Sequence, residues 1–262
     1  MKRREIKTLC LRDYPEAYRE LLSDARVYDS SCSPEARVWF IDRDGGFYLK
    51  SAPAGSLERE AVLTRYFHQK GLAAEVLDYC TDARDWLLTT RVAGEDCTHR
   101  TYLDDPVRLC DLLAERLRAL HESNGGDCPV QNRMERYVAL VQENYARGAY
   151  DLSYYADYAP DAKTDDVWRV ACEYARYFKN DTLLHGDYCL PNIMLNDWRF
   201  SGFIDLGNGG MGDRHVDLYW GAWTLRFNLG TDRYRERFFD AYGRDVIEPE
   251  LLRAVAACEV FG

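Results

Sequence analysis

A chain of 262 residues, 47% hydrophobic and 30% charged, is long enough for one or two domains and for a sizeable buried core. Its formal net charge of −10 disfavours a nucleic-acid partner and suits a cationic ligand. No stretch approaches the roughly 18 uninterrupted apolar residues of a membrane span. The basic start MKRREIKTLC lacks the apolar run of a secretory signal, and nine scattered cysteines without a CxxC pair suit reduced thiols in a cytoplasmic protein.

In chain order, ARVWFID, the turn RDGG and FYLKSA (36–52) read as a β-hairpin, because apolar residues alternate and glycines supply the turn. SLEREAVLTRYFHQKG (56–71) predicts a helix with Ser56 as N-cap, Glu58 and Glu60 in the first turn and Gly71 as its stop. DWLLTT (85–90) predicts a further strand, and VAGED after it a hinge. From there helices dominate. DDPVRLCDLLAERLRALHE (104–122) places Pro106 at a helix start and apolar residues at 109, 110, 113, 117 and 120 on one stripe. NRMERYVALVQENYAR, DDVWRVACEYARYFK, DRHVDLYWGAWTLRF, DRYRERFFDAYG and PELLRAVAACEVF are further helical candidates. YDLSYYADYAPDAKTDD (150–166) reads as a loop rich in acids and tyrosines. The expected organisation is α+β: a β-rich part over 1–93 and a larger helical part over 94–262.

In LLHGDYCLPNIML (183–195) an apolar run is broken by His185, Gly186 and Asp187, with Asn192 five residues beyond the acid. A kinase needs an Asp to accept or orient the substrate hydroxyl, an amide as metal ligand, and a second Asp to hold Mg²⁺ across the phosphates. Asp205 in FSGFIDLG, after an apolar strand, is that second acid. Four fixed identities at this spacing arise by chance on the order of 10⁻³ times in such a length. Upstream, Lys50 ends the strand FYLK, where a kinase lysine reaches the α- and β-phosphates. Glu60 in the following helix is placed to pair with it, with Glu58 as the alternative. Alone, each is a commonplace solvated charge; their order upstream of the loop makes them members of one site.

No G-x-G-x-x-G precedes the hairpin. The corresponding turn, DSSCSPEARVWF, offers Ser31 or Ser33 as phosphate donors. Only eleven residues separate Asp205 from Asp217, with no A-P-E after them. There is no room for a long peptide-holding activation segment, so the substrate is expected to be a small molecule.

The chain resembles the aminoglycoside phosphotransferases, most closely the 3′-phosphotransferases, nearly end to end. The resemblance is carried by CSPEARVWF, FYLK, LEREA, DWLLTT, LRALHE, HGDYCLPNI, GFIDLGNGGMGDRHVDL and CEVF. HGDxxxxN is shared with choline kinases; GFIDLG…GDRxxDL with the short ending is more specific. The resemblance implies a bilobal protein-kinase-like fold, with nucleotide binding in 1–93 and the catalytic loop and substrate pocket in 94–262. It also implies ATP and Mg²⁺ as cofactors, a monomer or weak dimer, and phosphorylation of an aminoglycoside 3′-hydroxyl that confers resistance.

Carried over residue by residue, Asp187 is the catalytic base and Asn192 and Asp205 the metal ligands. Lys50 binds phosphates with Glu60 as partner, and Ser33 lies in the nucleotide loop. Tyr48 matches an adenine-stacking aromatic, a position equally suited to a strand aromatic packed in the core. Thr90 and Val92 match the hinge. His185 and Asp217 brace the loop, while Pro191, Met194 and the tryptophans are packing. On the substrate side stand Glu259, Phe261 as bearer of a terminal carboxylate, and Asp157. This chain departs from the family pattern at Asn208 (commonly Arg), Phe227 (an acid), Cys258 (an Asp) and Gly262, which extends past the usual terminal Phe. These departures bear on the choice of substrate. A kinase for another hydroxylated, cationic metabolite or antibiotic is the alternative, and the intact Lys50, Glu60, Asp187, Asn192 and Asp205 set argues against a non-catalytic nucleotide-binding protein.

Overall fold

The computed structural model describes residues 3–32 and 34–262. In chain order the strands and α-helices are β1 (Arg4–Glu5), α1 (Glu16–Ser23), β2 (Arg26–Asp29), β3 (Arg37–Asp42), β4 (Phe47–Pro53), α2 (Glu58–Gln69), β5 (Val76–Thr81), β6 (Arg84–Thr90) and β7 (Glu95–Asp96). They continue with α3 (Arg100–Leu103), α4 (Pro106–His121), α5 (Arg133–Arg147), α6 (Thr164–Tyr174), β8 (Thr182–Leu184), β9 (Ile193–Asn196), β10 (Arg199–Phe203), β11 (Gly210–Gly212), α7 (His215–Leu229), α8 (Arg235–Tyr242) and α9 (Pro249–Glu259). The chain divides into two units. One runs through His99 and also takes Pro191–Gly207; the other comprises Arg100–Leu190 and Asn208–Gly262.

The division therefore differs from a single cut near residue 93. β7 pairs with β9, Glu95 opposite Leu195 and Asp96 opposite Met194, and β9 pairs with β10. The Phe203 amide donates to the Leu72 carbonyl at 2.7 Å. These backbone bonds draw the segment after the HGD loop into the first unit, a pairing across about a hundred residues that local periodicity does not encode.

The first unit is built on an antiparallel sheet in the order β1-β2-β3-β4-β6-β5. The β3–β4 hairpin forms as expected, and Asp44, Gly45 and Gly46 turn it at positive φ. Strand alternation splits the apolar side chains between two faces. Trp39, Ile41, Leu49, Trp86 and Leu88 pack with Tyr14, Tyr18 and Leu22. Ala52 and Leu87 face the other way and pack with Leu57 and Ala61 at the start of α2. Since Lys50 and Tyr48 alternate with Leu49, they share the α2 side of β4.

Helix α2 does not begin on a Ser56 cap. Its N-cap is Leu57, which makes no side-chain bond, and the buried Asp85 of β6 supplies what a capping side chain would. Its carboxylate accepts from the amides of Gly55 (3.0 Å) and Leu57 (2.8 Å) and from the Thr81 hydroxyl (2.9 Å). Burial alone would raise this carboxyl, but the converging donors outweigh it and hold the pKa below the ordinary value. Gly71 ends the helix at φ +72.

The second unit is mainly helical. The α4 stripe of Leu109, Cys110, Leu113, Leu117 and Leu120 is entirely buried, and Asp105 caps the helix one residue before Pro106. α7 buries residues on nearly every side, as a helix lacking an apolar/polar division should. The other expected helices form as α5, α6, α8 and α9. None of the helices among the described residues is long and apolar enough to cross a membrane.

Candidate active site

In the first unit, Lys50 Nζ donates to Glu60 Oε2 at 2.7 Å and to Asp205 Oδ1 at 2.9 Å. β4 carries the lysine, and Asp85 sets where α2 begins, which brings Glu60 rather than the exposed Glu58 to the ammonium. Burial would pull the Lys50 ammonium down, but the charges of Glu60 and Asp205 outweigh it and hold its pKa above the ordinary lysine value. Burial pushes the Glu60 carboxyl up against the downward pull of Lys50. Asp205 follows β10 at φ +59, a left-handed conformation that an Asp tolerates only at some cost. Asn192 is nearly buried, and its carbonyl accepts from the Ile204 amide at 3.0 Å. That bond joins the Asn192 backbone to the segment carrying Asp205, while the side chains that the structure brings together are those of Lys50, Glu60 and Asp205.

Tyr48 is half-buried rather than packed in the core. Its hydroxyl accepts from Arg3 Nη2 at 2.7 Å, its ring lies 5.2 Å from that of Phe40, and the Arg3 guanidinium sits 3.6 Å over the Phe40 face. Thr90 closes the sheet: its amide donates to the Glu75 carbonyl at 2.9 Å and its hydroxyl accepts from the Glu75 amide at 3.0 Å. Val92 is buried against Gly202, where a Cβ would stand 3.0 Å from Val92 Cγ1. Ser33 lies outside the described residues.

In the second unit, the turn of His185, Gly186 and Asp187 is braced from below. Gly186 adopts φ +86, and any Cβ there would collide with the Asn208 carbonyl oxygen, so only glycine fits. The fully buried Asp217 accepts from the amides of His185 (2.7 Å) and Gly186 (2.8 Å). It also meets His121 Nε2 at 3.2 Å, while His121 Nδ1 meets the Tyr242 hydroxyl at 2.8 Å. Burial lowers the His121 pKa, against the upward pull of the hydrogen bond and charge of Asp217. Burial would raise Asp217, but the hydrogen bond and charge of His121 lead the effects that hold it low. Arg133 donates to the carbonyls of Asn208 and, at 3.2 Å, Gly186. The Asp187 amide donates to His185 Nδ1 at 3.2 Å. His185 and Asp217 therefore brace the loop as expected. His121, Arg133 and Tyr242 do so too, and sequence reading passed over them because each lies more than fifty residues from its partner; a histidine ending the apolar α4 stripe was the available signal.

Glu259, at the end of α9, is buried. Its Oε1 accepts from the Tyr137 hydroxyl at 2.8 Å and from Trp220 Nε1 at 3.2 Å. Burial raises its pKa to about 7, with the nearby Asp187 charge adding to the rise and Tyr137, Arg133 and Trp220 opposing it. Asp157 is committed to Arg226 and to Arg235, the latter at 2.6 Å, so the free acid expected on an open loop is already neutralised. Burial would raise Asp157, but its bonds to the two arginines hold it below the ordinary range. Phe261 is 1% exposed, edge-on to Tyr145 and Trp168. Its carbonyl accepts from Asn144 Nδ2 at 2.8 Å. With Gly262 following, this carbonyl belongs to a peptide, so the carboxylate expected at Phe261 is not there, and the ring serves packing.

The chain matches the model of the phosphotransferase enzyme family (APH) over residues 24–256. A Lactococcus lactis protein described as "probable aminoglycoside 3′-phosphotransferase" is 50% identical, covering 95% of both chains. An aminoglycoside 3′-phosphotransferase of Niallia circulans is 31% identical, covering 92% of this chain and 95% of its own. Among solved structures, an aminoglycoside 3′-phosphotransferase of type VIII superposes with a TM-score of 0.76 at 23% identity, covering 96% of this chain and 99% of its own. A Streptomyces rimosus aminoglycoside phosphotransferase solved with ADP and streptomycin superposes at 0.71 with 24% identity, covering 86% and 90%. At such identities these two likenesses concern the fold, which is the α+β fold of the aminoglycoside phosphotransferases. The family match over most of the chain and the two curated relatives, together with the Lys50 cluster and the braced HGD turn, make this chain a member of the phosphotransferase enzyme family.

Proposed function

We propose that the enzyme transfers the γ-phosphoryl group of ATP to the 3′-hydroxyl of an aminoglycoside, a resistance activity exercised in the cytoplasm. The observation that carries the reading is Lys50 held between Glu60 and Asp205. An ammonium flanked by two carboxylates on a fixed strand suits a triphosphate, which then replaces one of those carboxylates as counter-charge. Asn192 and Asp205 offer hard oxygen donors, and Mg²⁺ ordinarily takes one or two carboxylates, with phosphate oxygens and water completing its shell. The two residues would therefore hold the metal, which neutralises phosphate charge when bound. Tyr48, Thr90 and Val92 are the proposed adenine neighbours.

Asp187 would accept the proton of the attacking hydroxyl, its backbone held by His185 and Asp217 so that the carboxylate is aimed before substrate arrives. Glu259 would meet an ammonium of the drug. With a pKa near 7 it is poised to ionise fully when a cation binds beside it.

The test is ADP release with kanamycin, with tobramycin, which lacks the 3′-hydroxyl, and with choline and simple sugars as controls. Kanamycin-stimulated release with none at that position of tobramycin is expected. Release with choline or a sugar but with no aminoglycoside would replace this reading by a kinase for another hydroxylated molecule, to which the neutralised Asp157 and the absent Phe261 carboxylate would then point.

A further inference from the structure

Three aromatic residues of α7 recur at i, i+3 and i+7, which puts Trp220, Trp223 and Phe227 on one helix face. Trp220 and Trp223 meet edge to face at 5.3 Å, and Trp223 and Phe227 lie nearly parallel at 4.9 Å and 11°. The Tyr154 ring approaches both tryptophans, at 5.8 and 6.0 Å. The row starts at an acid, since Trp220 Nε1 donates to Glu259, and ends in solvent, since Phe227 is 70% exposed. A single exposed phenylalanine is ordinary. A Phe held face-on against a Trp, with its other face open, is a π surface kept in place by packing, and such surfaces attract cations.

Acidic groups lie at the Tyr154 end of the row. Burial raises the Tyr154 phenol, and the charges of Asp151, Glu259 and Asp187 add to the rise. Arg226, the cation next to Phe227 in sequence, is paired with Asp157.

We propose that Trp220, Trp223, Phe227 and Tyr154 form an acceptor platform on which an ammonium-bearing ring of the polycationic substrate lies against the open face of Phe227, so that this enzyme selects its substrate by cation–π contact as well as by Glu259. The inference rests on the functional reading above and assigns specificity to Trp220 and Trp223, which sequence alone leaves as packing. A saturated amino-sugar ring carries both a cation and polarised C–H groups on one face, which suits an aromatic plane.

The test measures kinetic constants for kanamycin and ATP in Phe227→Ala, Phe227→Leu and Phe227→Tyr. The side chain is exposed, so all three should fold. Because exposed cation–π contacts are modest, Ala and Leu should each raise the drug KM about 3- to 10-fold. The ATP KM and kcat should stay within about twofold, and Tyr should keep the parent values. An Ala variant whose drug KM rises less than about twofold, or a Leu variant equal to the parent, overturns the platform while leaving the functional reading intact. A parent enzyme that turns over no aminoglycoside overturns both.

Discussion

Glu259→Gln separates stability from binding with one atom changed. Both donors to Glu259, Tyr137 and Trp220, address the same oxygen, Oε1, and a Gln carbonyl can still accept from both. Only the ionisation is lost. In the folded protein the carboxyl titrates at about 7 against an ordinary 4.5, so the native state holds its proton where the unfolded chain has released it. The sign follows: between pH 4.5 and 7 the native state binds more protons, and the stability of the parent falls as pH rises through that window. That displacement is worth at most about 3.4 kcal/mol. For a unit of this size that corresponds to a melting shift of up to roughly 7 to 14 °C. Calorimetric unfolding of the drug-free proteins from pH 4.5 to 8 should show Gln and parent equal at the acid end. The Gln variant should become progressively more stable up to pH 7 and keep that advantage above it. In the same variant, kanamycin binding should weaken about tenfold or more, because the carboxylate that would pair with its ammonium is gone. A stability difference independent of pH, or a Gln variant less stable than the parent at pH 8, would refute the reasoning.

Three other perturbations probe separate parts of the site. Asp187→Asn should lower kcat by about 10² to 10⁴ while ATP-analogue binding by calorimetry stays unchanged, since Lys50, Asn192 and Asp205 belong to the other unit; near-parental turnover would remove Asp187 from the chemistry. Asp205→Ala should weaken Mg²⁺·ATP binding about tenfold or more, and an unchanged calorimetric affinity would show that Asp205 is no metal ligand. Asp85→Ala leaves the amides of Gly55 and Leu57 without their acceptor and should cost about 2–4 kcal/mol, read as a lower melting temperature; Asp85→Asn, which keeps one carbonyl acceptor, should lose less.

What the sequence determined by itself was local. The helices α4, α5, α6, α8 and α9 and the β3–β4 hairpin follow from side-chain periods of 3.6 and 2 that persist over enough residues to be read. The proposed site residues Lys50, Asp187, Asn192 and Asp205 stand out because phosphoryl transfer accepts a narrow set of residues at that spacing. Short β1, β2 and β5 and the small helix α1 went unread, because a few residues carry too little pattern. Tertiary structure decided the rest through partners far apart in the chain. Asp85 fixes the start of α2 and thereby Glu60 over Glu58 as the partner of Lys50. Arg226 and Arg235, 69 and 78 residues from Asp157, neutralise an acid that looked free. Tyr137 lies 122 residues from Glu259, and burial there turns an ordinary carboxylate into one that titrates near neutrality. A carboxylate's charge depends on what surrounds it in space, and chain order specifies those neighbours only once the whole unit has folded.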